Sequence, residues 1–153
     1  MHVGVGELPA AARGPPDRGQ QANFLVIADR VQAETDLGGH LAAGGNFIDT
    51  ADVYGAGASE ELLGQLIAET SSRDRLVLGT KFGVASVPGD PNSGGNGRKN
   101  MLTALDASLR RLRTDDVDVY WLHMWDAVTP ADEVMSVFDA LVRSGKIRAR
   151  GAE

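Results

Sequence analysis

Apolar side chains are spaced along this chain in two rhythms. Short apolar runs, Phe47-Ile48-Asp49-Thr50-Ala51, Leu76-Val77-Leu78-Gly79-Thr80-Lys81 and Val117 to His123, read as buried strands. Between them the period lengthens. Leu62, Leu63, Leu66 and Ile67 form one helical stripe, Leu102, Leu105, Leu109 and Leu112 a second, and Val134, Val137, Phe138, Leu141 and Val142 a third. Gly44-Gly45 and Gly145 mark helix stops, and Ile147 to Gly151 begins a further strand. Ser59 is placed as the N-cap of the first stripe, with Glu60 and Glu61 complementing the positive helix end; Thr129 caps the third, with Pro130 at its first helical position. Residues 1 to 30 show no sustained period and carry Pro9, Pro15 and Pro16, so they read as an irregular segment, with Phe24 to Ala28 a short strand candidate. Residues 31 to 153 form the structured domain. The glycine-rich stretch Gly83 to Gly97 is a long loop of the kind that carries function or disorder.

Strands alternating with helices imply parallel neighbours, because two parallel strands need a crossover between them. An open doubly wound sheet and a (β/α)8 barrel both satisfy that pattern. A complete barrel takes about 250 residues, so 153 residues supply at most about half of one.

Composition narrows the class. The chain carries a net charge of −6, with 42% hydrophobic and 24% charged residues, in the range of globular proteins. It has no cysteine, which excludes disulfides and thiolate chemistry and fits a cytoplasmic setting. The acidic balance argues against a nucleic-acid partner, no apolar run is long enough for a membrane span, and Arg110-Arg111-Leu112-Arg113 reads as a solvated helix side.

In both architectures the C-terminal strand ends converge on one face, where α/β proteins place their sites. Asp49, Tyr54, Lys81 and His123 lie there. A free tyrosine, with a pKa of about 10, is a poor acid near neutrality unless a cation lies close. Lys81 can be that cation, Asp49 can hold it, and His123 can orient and polarise a carbonyl. Each also has a plain structural reading: Asp49 as a turn cap, Tyr54 as a packing aromatic, Lys81 as a surface charge, His123 as a satisfied structural histidine. Gly55-Ala56-Gly57-Ala58-Ser59-Glu60 mimics a dinucleotide fingerprint, but Glu60 stands where the third glycine belongs and would repel a pyrophosphate.

The run Gly45-Asn46-Phe47-Ile48-Asp49-Thr50-Ala51-Asp52-Val53-Tyr54-Gly55 followed by Ser59-Glu60-Glu61-Leu62-Leu63-Gly64 resembles the signature of the aldo-keto reductases. Thr80-Lys81-Phe82-Gly83, Ser108 to Leu112, Asp118 to His123 and Leu141 to Arg148 continue the resemblance in family order. Residues 91 to 101 are most similar to aryl-alcohol dehydrogenase-like members. The resemblance implies an α/β fold, the N-terminal half of a (β/α)8 TIM barrel with four to five of eight β/α units, and reversible reduction of small-molecule aldehydes or ketones with NADP(H). It implies Tyr54 as general acid, Lys81 and Asp49 as its tuning pair, His123 as the carbonyl-orienting group, Trp125 and Asp126 near the substrate mouth, and no metal. The family's cofactor-gripping residues are expected beyond residue 153. The alternative reading is an inactive truncated fragment or a noncatalytic module that associates through open barrel edges.

Overall fold

The computed structural model describes the backbone of Phe24–Val26 and residues 38–152. The remainder of the irregular segment expected over residues 1 to 30 lies outside the described residues. Of the apolar run at its end, Phe24–Val26 is strand β1. The chain continues through a helix α1 described over residues 38–42, β2 (Phe47–Asp49), a 3-10 turn (Tyr54–Gly57) and α2 (Ala58–Thr70). There follow a second 3-10 turn (Arg73–Arg75), β3 (Val77–Phe82), α3 (Arg98–Leu112), β4 (Val117–Leu122), α4 (Ala131–Arg143) and β5 (Ile147–Ala152). The five strands form one wholly parallel sheet in chain order, β1-β2-β3-β4-β5.

The period-two alternation of a strand sorts β3 cleanly. Leu78 and Phe82 pack toward the helices, whereas Lys81 reaches Asp49 of β2. In β4 the Tyr120 ring stacks on Phe82 at 4.8 Å and meets Phe138 of α4 edge-on at 6.1 Å. Its hydroxyl donates to the Met101 carbonyl at 3.0 Å, so the polar tip of a fully buried aromatic is satisfied inside the core. Burial holds that phenol well above the ordinary tyrosine range. Leu63 and Ile67 of α2 with Leu105 and Leu112 of α3 complete the layer between helices and sheet.

The N-terminal strand ends are fastened by charge. Arg73 donates to Asp118 at 2.9 Å and to Asp116 at 2.8 Å, while the Leu78 amide donates to the same Asp118 carboxylate. At the other end, the Gly83 to Gly97 stretch is an ordered loop: Gly95 N–H donates to the Gly83 carbonyl at 2.8 Å and Ser86 N–H to the Ser93 carbonyl at 3.0 Å.

Both expected N-caps are corrected. Helix α2 starts two residues early, with Gly57 at its N-cap, and the Ser59 hydroxyl shares a 2.9 Å hydrogen bond with Thr50 just past β2. Pro130, not Thr129, occupies the N-cap of α4, and the Thr129 hydroxyl donates to Asp126. The Ser59 hydroxyl is taken by Thr50, nine residues back, and the Thr129 hydroxyl by Asp126, three residues back in the same loop.

Candidate active site

Four side chains predicted from the strand ends meet at the C-terminal edge of the sheet. Asp49 closes β2 and Lys81 lies one residue from the end of β3, both almost fully buried. The Lys81 ammonium donates to the Asp49 carboxylate and, at 3.1 Å, to the Thr50 carbonyl. A buried cation needs such partners, since desolvation alone disfavours the charged form. Room for the pair comes from Gly79 beneath it: a Cβ there would stand 2.7 Å from Asp49 Oδ1 and 3.1 Å from the Trp121 indole nitrogen.

Tyr54 is delivered by backbone geometry. After it, Gly55, Ala56 and Gly57 run through left-handed φ values of 57°, 55° and 93°, folding the chain sharply into α2. Gly57 adopts such a φ without steric cost. The turn sets the Tyr54 ring with the Lys81 ammonium 5.1 Å from its centroid. His123, the first residue past β4, donates its backbone N–H to the Phe82 carbonyl and presents its ring edge-on to Tyr54, with centroids 5.9 Å apart and planes at 87°. A phenol, a cation held by a carboxylate and an imidazole therefore occupy one site, an arrangement able to deliver a proton to a substrate oxygen and offset the charge left behind.

The sequence profile of the Aldo/keto reductase family matches residues 27–152. The chain belongs to the aldo/keto reductase family. Its parallel sheet with flanking helices is accordingly part of a (β/α)8 barrel, and the choice left open between barrel and open sheet is resolved. Among proteins of known name, this aldo/keto reductase chain is 39% identical over 108 residues to an aryl-alcohol dehydrogenase of Pestalotiopsis microspora, covering 68% of this chain and 28% of that one. It is 42% identical over 110 residues to a norsolorinic acid reductase of Emericella nidulans, covering 69% and 28%. It is 37% identical over 113 residues to an aryl-alcohol dehydrogenase [NADP(+)] of Phanerodontia chrysosporium, covering 69% and 29%. The matched part of the chain thus spans under a third of the length of these relatives.

The family implies a nicotinamide cofactor, and the third relative's name gives NADP(+) for that protein. The side chains are compatible with such a cofactor: a phenol, a cation fixed by a carboxylate and an imidazole can act together on a carbonyl oxygen, leaving hydride chemistry to the cofactor. The described residues assign no grip for its phosphates.

Past His123, Trp125 is about half exposed at 47%, while Asp126 is engaged. Its carboxylate accepts from the backbone N–H groups of Asn96, Val128 and Thr129 and from the Thr129 hydroxyl, all at 2.8 to 2.9 Å. These donors hold it well below the usual carboxylate range, the Thr129 amide foremost. Asp126 thereby ties the β3–α3 loop to the β4–α4 loop.

Sequence reasoning missed a second polar cluster beside the first. Glu60, read as a helix-end charge, is fully buried and paired with Arg111, itself read as solvated. A signal was available: Glu60 shares the helical face of Leu63, Gly64 and Ile67, at positions i, i+3, i+4 and i+7. Asp52, also buried, is pushed up to about 7 by burial and then by Glu60.

Proposed function

We propose that this chain carries the proton-transfer half of a carbonyl-reducing site specific for NADP(H) and small aromatic aldehydes or ketones. The observation that carries the reading is the Lys81 ammonium, gripped by Asp49, lying over the Tyr54 ring with His123 edge-on beside it. NADP(H), when bound, supplies or accepts the hydride. The chain handles the proton. The Tyr54 hydroxyl gives it to the substrate oxygen as negative charge builds there, and Lys81 offsets the phenolate that remains. Asp49 and the Thr50 carbonyl fix the ammonium in place. His123 orients the substrate oxygen toward Tyr54. In the alcohol-oxidising direction the same phenolate takes the proton back.

The half-exposed Trp125 offers a flat wall to an aromatic substrate. Asp126, with its oxygens engaged, serves the mouth by holding its two loops together. The names of the relatives support both the cofactor and the aromatic substrate class.

The test is the rate of NADPH oxidation with an aromatic aldehyde, in wild type and in Tyr54→Phe. Loss of about 100-fold or more in the variant is expected, within the range assigned to a positioned general acid; equal rates sink the reading.

A second reading draws on a groove of about 290 Å3 beside β5, lined by Leu122, Trp125, Val134, Met135, Phe138 and Ala152. Its apolar wall favours association with a second copy of the chain. Light scattering after size exclusion is expected to show a dimer that Met135→Glu returns to monomer. A monomer at every concentration overturns that reading.

A further inference from the structure

The first turn of α2 sends two adjacent side chains into the strand ends. Ser59 meets Thr50 after β2, and Glu60 reaches β3, where one carboxylate oxygen accepts from the Thr80 hydroxyl at 2.5 Å. The other accepts from Arg111 Nε of α3 at 2.6 Å. Glu60 is fully buried, and a buried carboxylate costs several kcal/mol of desolvation unless its lone pairs are satisfied. Both oxygens here are.

The cluster touches the active site from both sides. Thr80 immediately precedes Lys81. Arg111 lies against Gly57, the last residue of the turn that delivers Tyr54: a Cβ there would stand 3.0 Å from Arg111 Cδ and Nε. Asp52 N–H donates to the Lys81 carbonyl at 3.2 Å and closes the same loop from its N-terminal side. Replacing a buried ion pair with apolar side chains of equal volume is often neutral or stabilising, so stability alone gives little account of it. Geometry does.

We propose that Glu60 is a positioning residue, whose carboxylate, braced by Arg111, holds the turn bearing Tyr54 in register with the strand bearing Lys81. The importance of that register rests on the reading of Tyr54 as the proton donor, but the register itself is measurable without cofactor or substrate. Only two tyrosines are present, Tyr54 and Tyr120. Fluorotyrosine incorporated into the full chain therefore gives two fluorine resonances, assigned with Tyr54→Phe.

In Glu60→Gln and Arg111→Met, the Tyr54 resonance is expected to move toward that of Lys81→Met. The Tyr120 resonance, fixed by Phe82, Phe138 and the Met101 carbonyl but within the field of Glu60 and Arg111, moves less than that of Tyr54, and Arg111→Lys restores part of the Tyr54 position. A Tyr54 signal unmoved in folded Glu60→Gln overturns the proposal. So does equal movement of both tyrosines, which marks general loosening. If Glu60→Gln fails to fold, Thr80→Val removes the strand-side hydroxyl alone and is judged by the same two criteria. With no carbonyl or NADPH in the sample, a chain that reduces nothing still decides the matter.

Discussion

Asp52 shows how one side chain sets a pH response. Its carboxyl is raised from 3.8 to about 7, first because burial disfavours the anion and then because Glu60 lies near, with Arg111 only partly opposing. Asp52 Oδ1 has no hydrogen-bond partner among the described residues. The folded state thus holds the proton more tightly than the unfolded chain does. The resulting stability is complete below the ordinary carboxyl value and is lost as pH rises through about 7. Asp52→Asn, neutral and nearly isosteric, is expected to remove this decline and to gain about 1 to 3 kcal/mol above about pH 7. Urea unfolding of both proteins at mildly acidic and mildly alkaline pH checks it. Equal slopes of stability against pH would rule the assignment out.

Elements were legible wherever one local rule acted alone. The strands at Val77–Phe82 and Val117–Leu122 and the stripes of α2, α3 and α4 follow directly from the spacing of apolar residues. Asp49, Tyr54, Lys81 and His123 were legible as candidates because parallel strands carry their C-terminal ends to one face, while the choice between their structural and catalytic readings rested on the resemblance to the aldo-keto reductases. The caps were not, because Ser59 and Thr129 satisfy the local capping rule equally well whether or not Thr50 and Asp126, nine and three residues back, claim their hydroxyls. Glu60 stayed hidden because its partners come from elements 20 and 51 positions away. Among the loops, Asp126 is the joint. Asp126→Ala removes four accepted hydrogen bonds from a partly exposed site and is expected to cost about 1 to 2 kcal/mol. Limited proteolysis should then cut within residues 83 to 97 well before the helices; an unchanged cleavage pattern would show that other contacts hold the loop.

Across the whole molecule, chemistry and anchorage sit at opposite ends of the strands. Tyr54, Lys81 and His123 gather at the C-terminal ends, while Arg73, Asp116 and Asp118 fasten the N-terminal ones. Barrel proteins separate function and stability along this axis. Arg73→Met is accordingly expected to lose about 1 to 2 kcal/mol in urea unfolding, while the fluorine resonance of Tyr54 stays at its wild-type position. Movement of that resonance would show the two ends to be coupled. The strand order carries a consequence for how the molecule is made. Because β1 to β5 lie in the sheet in the order of the chain, each new β/α unit docks on the one before it. A ribosome delivering the chain from its N-terminus presents each strand beside a neighbour already emerged. Asp49 is therefore waiting when Lys81 arrives, and the most deeply buried charge of the site meets its counterion as it leaves water.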